Sequence, residues 1–436
     1  MRISDFSSAL LGERYRRIEH KSGLRIYHFP KNLSTTYALL ATEYGSLDRC
    51  VSVNGVLERF PDGVAHFLEH KLFDNADGTD AFAHFSAVGA DANAYTTYNR
   101  TAYLFSCTER EEEALEALLR FVTQPYFTRA SVKKEQGIIA EEIRGGDDSP
   151  WERVYRNLLR AMYREHPVRD DICGTVSSIK RITPELLYRA YELFYDLSNM
   201  ALVVCGCMSE EAVLAVADRV LPTEARPYTR PMRVLPQESA AVERDYTEER
   251  MAVSKPIFSI GFKDPALPDD PMARARRDFA MTWLNEILFS QSGELYEALL
   301  GEGLITPAFS YGYSSEPSLA FNCLTGESDE PQTVLARLWA YLEHVRGTGI
   351  SQEAFERAGR VLYSDEIRVY DSTEEIANRM LAFVFEDLDM LSAPAWISSI
   401  RKEELEALLN DFFVRDGVSL SVILPLEEQA REEDET

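Results

Sequence analysis

Apolar and polar positions alternate along the first forty-odd residues. Tyr15 to His20 and Leu24 to Phe29, separated by Lys21-Ser22-Gly23, predict a β-hairpin, and Thr35 to Tyr44 predicts a further strand. From Gly63 the period becomes helical, with Val64, Phe67, Leu68 and Leu72 on one broad face. Strand character returns over Ala92 to Cys107, which is rich in Thr, Tyr and Phe. Glu109 to Thr123 and Ser131 to Arg144 read as helices, the second stopped by Gly145-Gly146. Trp151 to Tyr163 and Pro184 to Tyr195 add two more helices, and Ala201 to Cys205 a strand.

The second half repeats this order. Glu141-Glu142-Ile143-Arg144, followed by Asp147-Asp148-Ser149, is echoed by Asp365-Glu366-Ile367-Arg368, followed by Tyr370-Asp371-Ser372. Each half then closes with a helix and an apolar strand, Ala201 to Cys205 and Val418 to Leu424. The expected fold is therefore α+β, two copies of one domain of about two hundred residues, each a mixed sheet packed against helices. The first copy is expected over 1–221 and the second over 249–425. Between them, residues 222–248 read as a linker, because prolines at 222, 227, 231 and 236 break helices and ladders alike. The acidic run in 426–436 reads as a solvated tail.

Composition narrows the function classes. Of 436 residues, 45% are hydrophobic and 27% charged, which suits a packed protein. The net charge of −26 disfavours nucleic acid and anionic membrane surfaces as partners, although such a surface also simply keeps a protein soluble. The six cysteines show no C-x-x-C spacing, which fits a reducing compartment. Met1 to Arg17 has no apolar signal-peptide region, and no run approaches membrane-spanning length. A cytoplasmic location is expected.

His66-Phe67-Leu68-Glu69-His70 carries the chemistry. Positions i, i+3 and i+4 share one helical face, and two imidazoles one turn apart can hold one cation. Zinc suits such ligands, and Glu69 would stand beside the open coordination position, placed to take a proton from a bound water. The plain alternative is an ordinary amphipathic turn whose polar residues face solvent. A catalytic zinc needs a third protein ligand. Glu135 and Glu142, seven apart on the Ser131 to Arg144 helix, share a face with Ile138 and Ile139 between them. A carboxylate on a partly buried face calls for a cation or partner, unless the two are merely a solvent-facing charge pair.

Gly63-Val64-Ala65-His66-Phe67-Leu68-Glu69-His70-Lys71-Leu72-Phe73 resembles the active-site helix of the pitrilysin/insulysin family, the inverzincins, whose relatives include the mitochondrial processing peptidase. The likeness extends through Ala92-Asn93-Ala94-Tyr95-Thr96, Thr101-Ala102-Tyr103, Pro125-Tyr126-Phe127, the segment Glu135 to Ile143 and Glu165-His166-Pro167-Val168. The resemblance implies one zinc ion per chain held by His66, His70 and Glu142, with Glu69 as general base and Glu135 as a supporting outer carboxylate. It also implies that Asn93, Ala94 and Tyr95 lie on an edge strand where a peptide adds by main-chain hydrogen bonds, the alternative being a plain core strand.

Two departures qualify the likeness. The second half has no H-x-x-E-H, and the region Thr306 to Leu324 offers Tyr311 and Tyr313, but no Arg, for transition-state stabilisation. The chain resembles the half-length bacterial branch, which implies a second chain, identical or related, to complete a chamber around peptide substrates. The activity implied is zinc-dependent endopeptidase action on peptides or short unfolded segments. The rival expectation is a non-catalytic or peptide-holding subunit of a heteromeric peptidase.

Overall fold

The computed structural model describes residues 2–74, 78 and 81–427, so nearly all of the expected acidic tail lies outside the described residues. The alternating segments form β1 (Arg2–Ser8), β2 (Glu13–Glu19), β3 (Arg25–Pro30), β4 (Thr36–Thr42), β5 (Cys50–Val53), β6 (Val56–Arg59), β7 (Asp91–Thr96), β8 (Thr101–Cys107), β9 (Met200–Gly206) and β10 (Met232–Arg233). Seven of these make one sheet in the order β1-β2-β3-β9-β4-β8-β7, and β10-β5-β6 make a small second one. Later in the chain, β11 (Tyr246–Met251), β12 (Ile257–Lys263), β13 (Ser310–Glu316), β14 (Leu319–Glu327) and β15 (Val418–Pro425) form a five-stranded sheet, β11-β15-β12-β14-β13.

The two large sheets share one topology. In β3-β9-β4-β8-β7 the β3–β9 pair is parallel and the rest antiparallel. In β11-β15-β12-β14-β13 only the equivalent β11–β15 pair is parallel. Strand for strand, the second sheet repeats these five strands of the first. The fold is α+β with two repeated domains of mixed sheet packed against helices.

Five helices of the first half are α1 (Val64–Leu72), α2 (Ala81–Ala87), α3 (Glu111–Thr123), α4 (Arg129–Asp148) and α5 (Pro150–Met162). Apolar residues of α1, α3 and α4 share one core with β4, β8 and β9, including Phe67, Leu68, Leu118, Ile139, Tyr103 and Leu202. Contact clustering divides the chain into two compact units that are not contiguous in sequence. One holds residues 1–143, 171–235 and 365–394; the other holds 144–170, 236–364 and 395–436. The α5 helix thus packs on the second sheet, where its Val154 is buried with Ile257 and Ile423. It lies so close that a Cβ on Gly261 would stand 2.3 Å from the Met162 sulfur. Conversely, the helix Thr373–Val384 belongs to the first unit, where Asn378 Nδ2 donates to the Tyr37 hydroxyl at 3.4 Å.

Two local expectations need correcting or refining. Gly145-Gly146 does not stop α4, which runs through both glycines to Asp148. The absence of a side chain at 146 serves packing, since a Cβ there would meet the Arg156 guanidinium at 2.3 Å. The proline-rich stretch is anchored in part: Met232–Arg233 pairs with β5, and Arg233 grips the buried Asp48 through two nitrogens at 2.9 and 2.8 Å.

The α1 helix is buried almost all round, Lys71 included, and this depends on its first turn. Gly63 adopts φ 87° at the N-cap, and a Cβ on it would lie 2.4 Å from the carbonyl oxygen of Cys173. Gly63→Ala should therefore cost more than the roughly 1–3 kcal/mol of a left-handed non-glycine residue alone. Gly89→Ala is the control, with φ 73° and open space around its Cβ. Urea unfolding should rank Gly63→Ala well below Gly89→Ala; equal losses would show that the Cys173 contact is immaterial.

Candidate metal centre

One face of α1 carries His66, Glu69 and His70. His66 and Glu69 are buried, and His70 is half-buried. The imidazoles of His66 and His70 sit with ring centroids 4.6 Å apart. The α4 helix brings two carboxylates against them. Glu142 Oε1 lies 3.4 Å from His66 Nε2, and its Oε2 lies 3.7 Å from His70 Nε2. One turn-pair earlier on the same face, Glu135 Oε1 lies 3.1 Å from His70 Nδ1. The Nε2 edge of His70 thus faces Glu142, while its Nδ1 edge faces Glu135.

These residues fit a cation. One ligand atom from each of His66, His70 and Glu142 can be chosen so that all lie within 4.8 Å of one another. Two imidazole nitrogens and a carboxylate oxygen are the donor set that zinc-like cations take, and three protein ligands leave a position open. Glu135, on the far nitrogen of His70, is placed as the outer partner that fixes a ligand's tautomer. Among the described residues His66 has no such partner: its Nδ1 is buried without a hydrogen bond, and the ring's polar contacts are all on its Nε2 edge.

The local electrostatics agree. Burial disfavours a charged His70, but its hydrogen bond to Glu135 and the charges of Glu69, Glu142 and Glu135 outweigh it, and the imidazole's proton affinity is raised. The hydrogen bond with His66 holds the Glu142 carboxyl below its ordinary value, against the opposing effect of burial. Glu142 is not buried, with 45% of its side chain exposed, whereas Glu135 is largely enclosed at 11%. Of the two carboxylates on α4, only Glu135 is buried enough to demand a partner, and the Glu142 side of the centre opens to solvent.

Asn93, Ala94 and Tyr95 lie on β7, the last strand of the seven-stranded sheet, with β8 on one side. The Asn93 side chain accepts from the Ala94 amide at 2.9 Å, and the Tyr95 hydroxyl donates to Asn378 at 3.2 Å. Tyr311 and Tyr313 fall on β13, the repeat's equivalent strand. Their hydroxyls donate to Glu286 at 2.8 Å and to Asp264 at 2.6 Å. Two neighbours of the centre escaped the sequence reading. Cys173 Sγ lies 3.9 Å from both His66 Nε2 and Glu142 Oε1, and the Thr96 hydroxyl donates to Glu69 Oε2 at 2.6 Å. Thr96 stood inside a quoted motif without a role, and Cys173 carried no spacing signal.

Comparison with known proteins places these features in a family. Residues 58–176 match the insulinase family, peptidase family M16, and residues 181–362 match the peptidase M16 inactive domain. The chain is 36% identical to an uncharacterized zinc protease, YmfH, of Bacillus subtilis, over 93% of this chain and 95% of that one. It is 24% identical to SCO5738, an uncharacterized zinc protease of Streptomyces coelicolor, over 95% and 90% of the two chains. A solved structure described as an M16-like peptidase from Alicyclobacillus acidocaldarius superposes with a TM-score of 0.89 at 34% identity, covering 94% of this chain and 98% of that one. A protease from Helicobacter pylori shares the fold, with a TM-score of 0.83 at 16% identity over 95% and 100%.

Cation affinity should follow the geometry. Glu142→Ala is expected to weaken zinc binding at least about ten-fold, measured by competition with a chromophoric chelator, with Glu135→Gln in the roughly 10–100-fold range of an outer partner. Because the His70 imidazole takes up a proton more readily than an ordinary one, protons compete with an incoming cation for it. Uptake should therefore release protons and weaken as pH falls, a trend calorimetry in buffers of different ionisation enthalpy can read. Proton release should shrink in Glu135→Gln; an unchanged value would detach Glu135 from His70.

Proposed function

The chain belongs to peptidase family M16, the insulinase family, and from that premise we propose that it is a zinc-dependent endopeptidase acting on peptides or short unfolded segments. The observation that carries the reading is the convergence of ligand atoms of His66, His70 and Glu142 within 4.8 Å, with Glu69 on the same helix one turn from His66. His66, His70 and Glu142 would hold the zinc. When bound, zinc supplies Lewis-acid polarisation of a scissile carbonyl and of water.

The chain's own residues do the rest. Glu69 takes a proton from the attacking water and returns it to the leaving amine. Glu135 holds His70 by Nδ1, fixing the ring so that Nε2 faces inward. Asn93, Ala94 and Tyr95 lie on an edge strand, and an extended peptide can add there as a further strand. An extended segment satisfies such an edge without a folded partner, which favours unfolded substrates.

Among the described residues no helix is long and apolar enough to cross a membrane. The names of the relatives accord with the reading, since both are called zinc proteases.

Glu69→Gln is expected to retain zinc at the wild-type ratio and to lose cleavage of an unstructured fluorogenic peptide by roughly 10²–10⁴-fold, the usual worth of a positioned base. A zinc-loaded Glu69→Gln protein that turns over at the wild-type rate would exclude this role. The same result would favour a subunit that only holds peptide.

A further inference from the structure

The Glu69 carboxylate is 7% exposed, and among the described residues its one hydrogen bond comes from Thr96, at 2.6 Å to Oε2. That length belongs to a charge-assisted O–H···O⁻ bond. The direction of donation is fixed by the surroundings. The neighbouring hydroxyl, Thr101 Oγ1, lies 3.4 Å from Thr96 Oγ1 and gives its own proton to the Tyr44 carbonyl at 2.9 Å. Thr101 therefore has no second proton for Thr96. The Thr96 proton in turn has a carboxylate at 2.6 Å to choose over a hydroxyl at 3.4 Å.

Thr96 is itself held firmly. It is the last residue of β7 and pairs directly across from Thr101 on β8. A β-branched side chain on a paired strand has restricted rotation about χ1.

We propose that Thr96 is a positioning residue for the reaction: its hydroxyl fixes Glu69 Oε2 and leaves Oε1 as the oxygen that receives the proton. This deepens the peptidase reading and rests on Glu69 being the base. A carboxylate without that anchor turns about its terminal torsion, and a base displaced by about 1 Å can lose on the order of 10²-fold in rate. The bond also joins two functions in one strand. Residues 93–95 are proposed to bind the peptide, and the next residue aims the base.

The experiment compares Thr96→Val, Thr96→Ser and Thr96→Ala with wild type and with Glu69→Gln on one fluorogenic peptide. Zinc content, zinc affinity and metal-free melting temperature are measured alongside. In Thr96→Val, kcat should fall about ten-fold or more, while KM stays within about two-fold and zinc affinity is unchanged. Thr96→Ser, which keeps the hydroxyl, should recover most of kcat. Should valine disturb the strand, Thr96→Ser and Thr96→Ala pose the same question, since they differ by the hydroxyl alone. Wild-type kcat in Thr96→Val, or equal loss in the Ser and Ala variants, would overturn the assignment. Activity in Glu69→Gln would remove the base itself and Thr96's role with it. An inactive Glu69→Gln beside a fully active Thr96→Val would leave the base standing and remove Thr96 alone.

Discussion

The contact between two imidazoles of α1 and two carboxylates of α4 is the constraint around which the first unit is organised. Neither helix could keep these groups in an apolar core alone. His66 and Glu69 are buried, as is Glu135, and a buried charge or dipole without a partner is costly. Each helix answers the other, since Glu142 meets both rings and Glu135 meets the far nitrogen of His70, while strand β7 brings Thr96 to Glu69. The apolar packing of Phe67 and Leu68 under α1 and of Ile139 under α4 sets the distance at which these polar groups meet. Polar chemistry and core packing are thus solved by one arrangement of two helices.

The repeat shows what becomes of the same position when that chemistry is not required. Glu366 matches Glu142 in the sequence repeat, yet among the described residues it faces no imidazole pair. It is 1% exposed and is paired with the Arg379 guanidinium. Burial pushes its carboxyl up, and Arg379 opposes that by charge and hydrogen bond. Earlier in the same half, Asn285 donates to Asn322 at 2.6 Å and Glu286 accepts from Tyr311. The second copy keeps polar side chains where the first has a candidate cation site; each has a protein partner, but Glu366 Oε1, Asn285 Oδ1 and Asn322 Nδ2 stay buried without a hydrogen bond among the described residues. The match of residues 181–362 to the family's inactive domain accords with that difference.

Much of this was readable from residue order. Period and turn residues gave the hairpin, the apolar strands and the helical face of α1, because each follows from local sterics and one-sided burial. The i, i+3, i+4 spacing placed three polar side chains together, since helical geometry is itself local. What escaped was decided by tertiary contact. Gly145 and Gly146 read as a stop, but Arg156 needs the space that a side chain at 146 would fill. Thr96 and Cys173 come to the centre through a strand pairing and a loop that no periodicity encodes. The segment exchange was hidden for the same reason, because α5 has the same amphipathic pattern whichever sheet it covers.

That exchange bears on how the chain can be made. Translation proceeds from the N-terminus, so the first sheet, its α1 and its α4 all leave the ribosome well before the helix Thr373–Val384 that completes their unit. The α5 helix, synthesised early, must wait for β12 and β15 before Val154 has anything apolar to cover it. Neither unit reaches its final form as a nascent domain. The first unit is complete only once the helix Thr373–Val384 has been made, and the second only once β15 has.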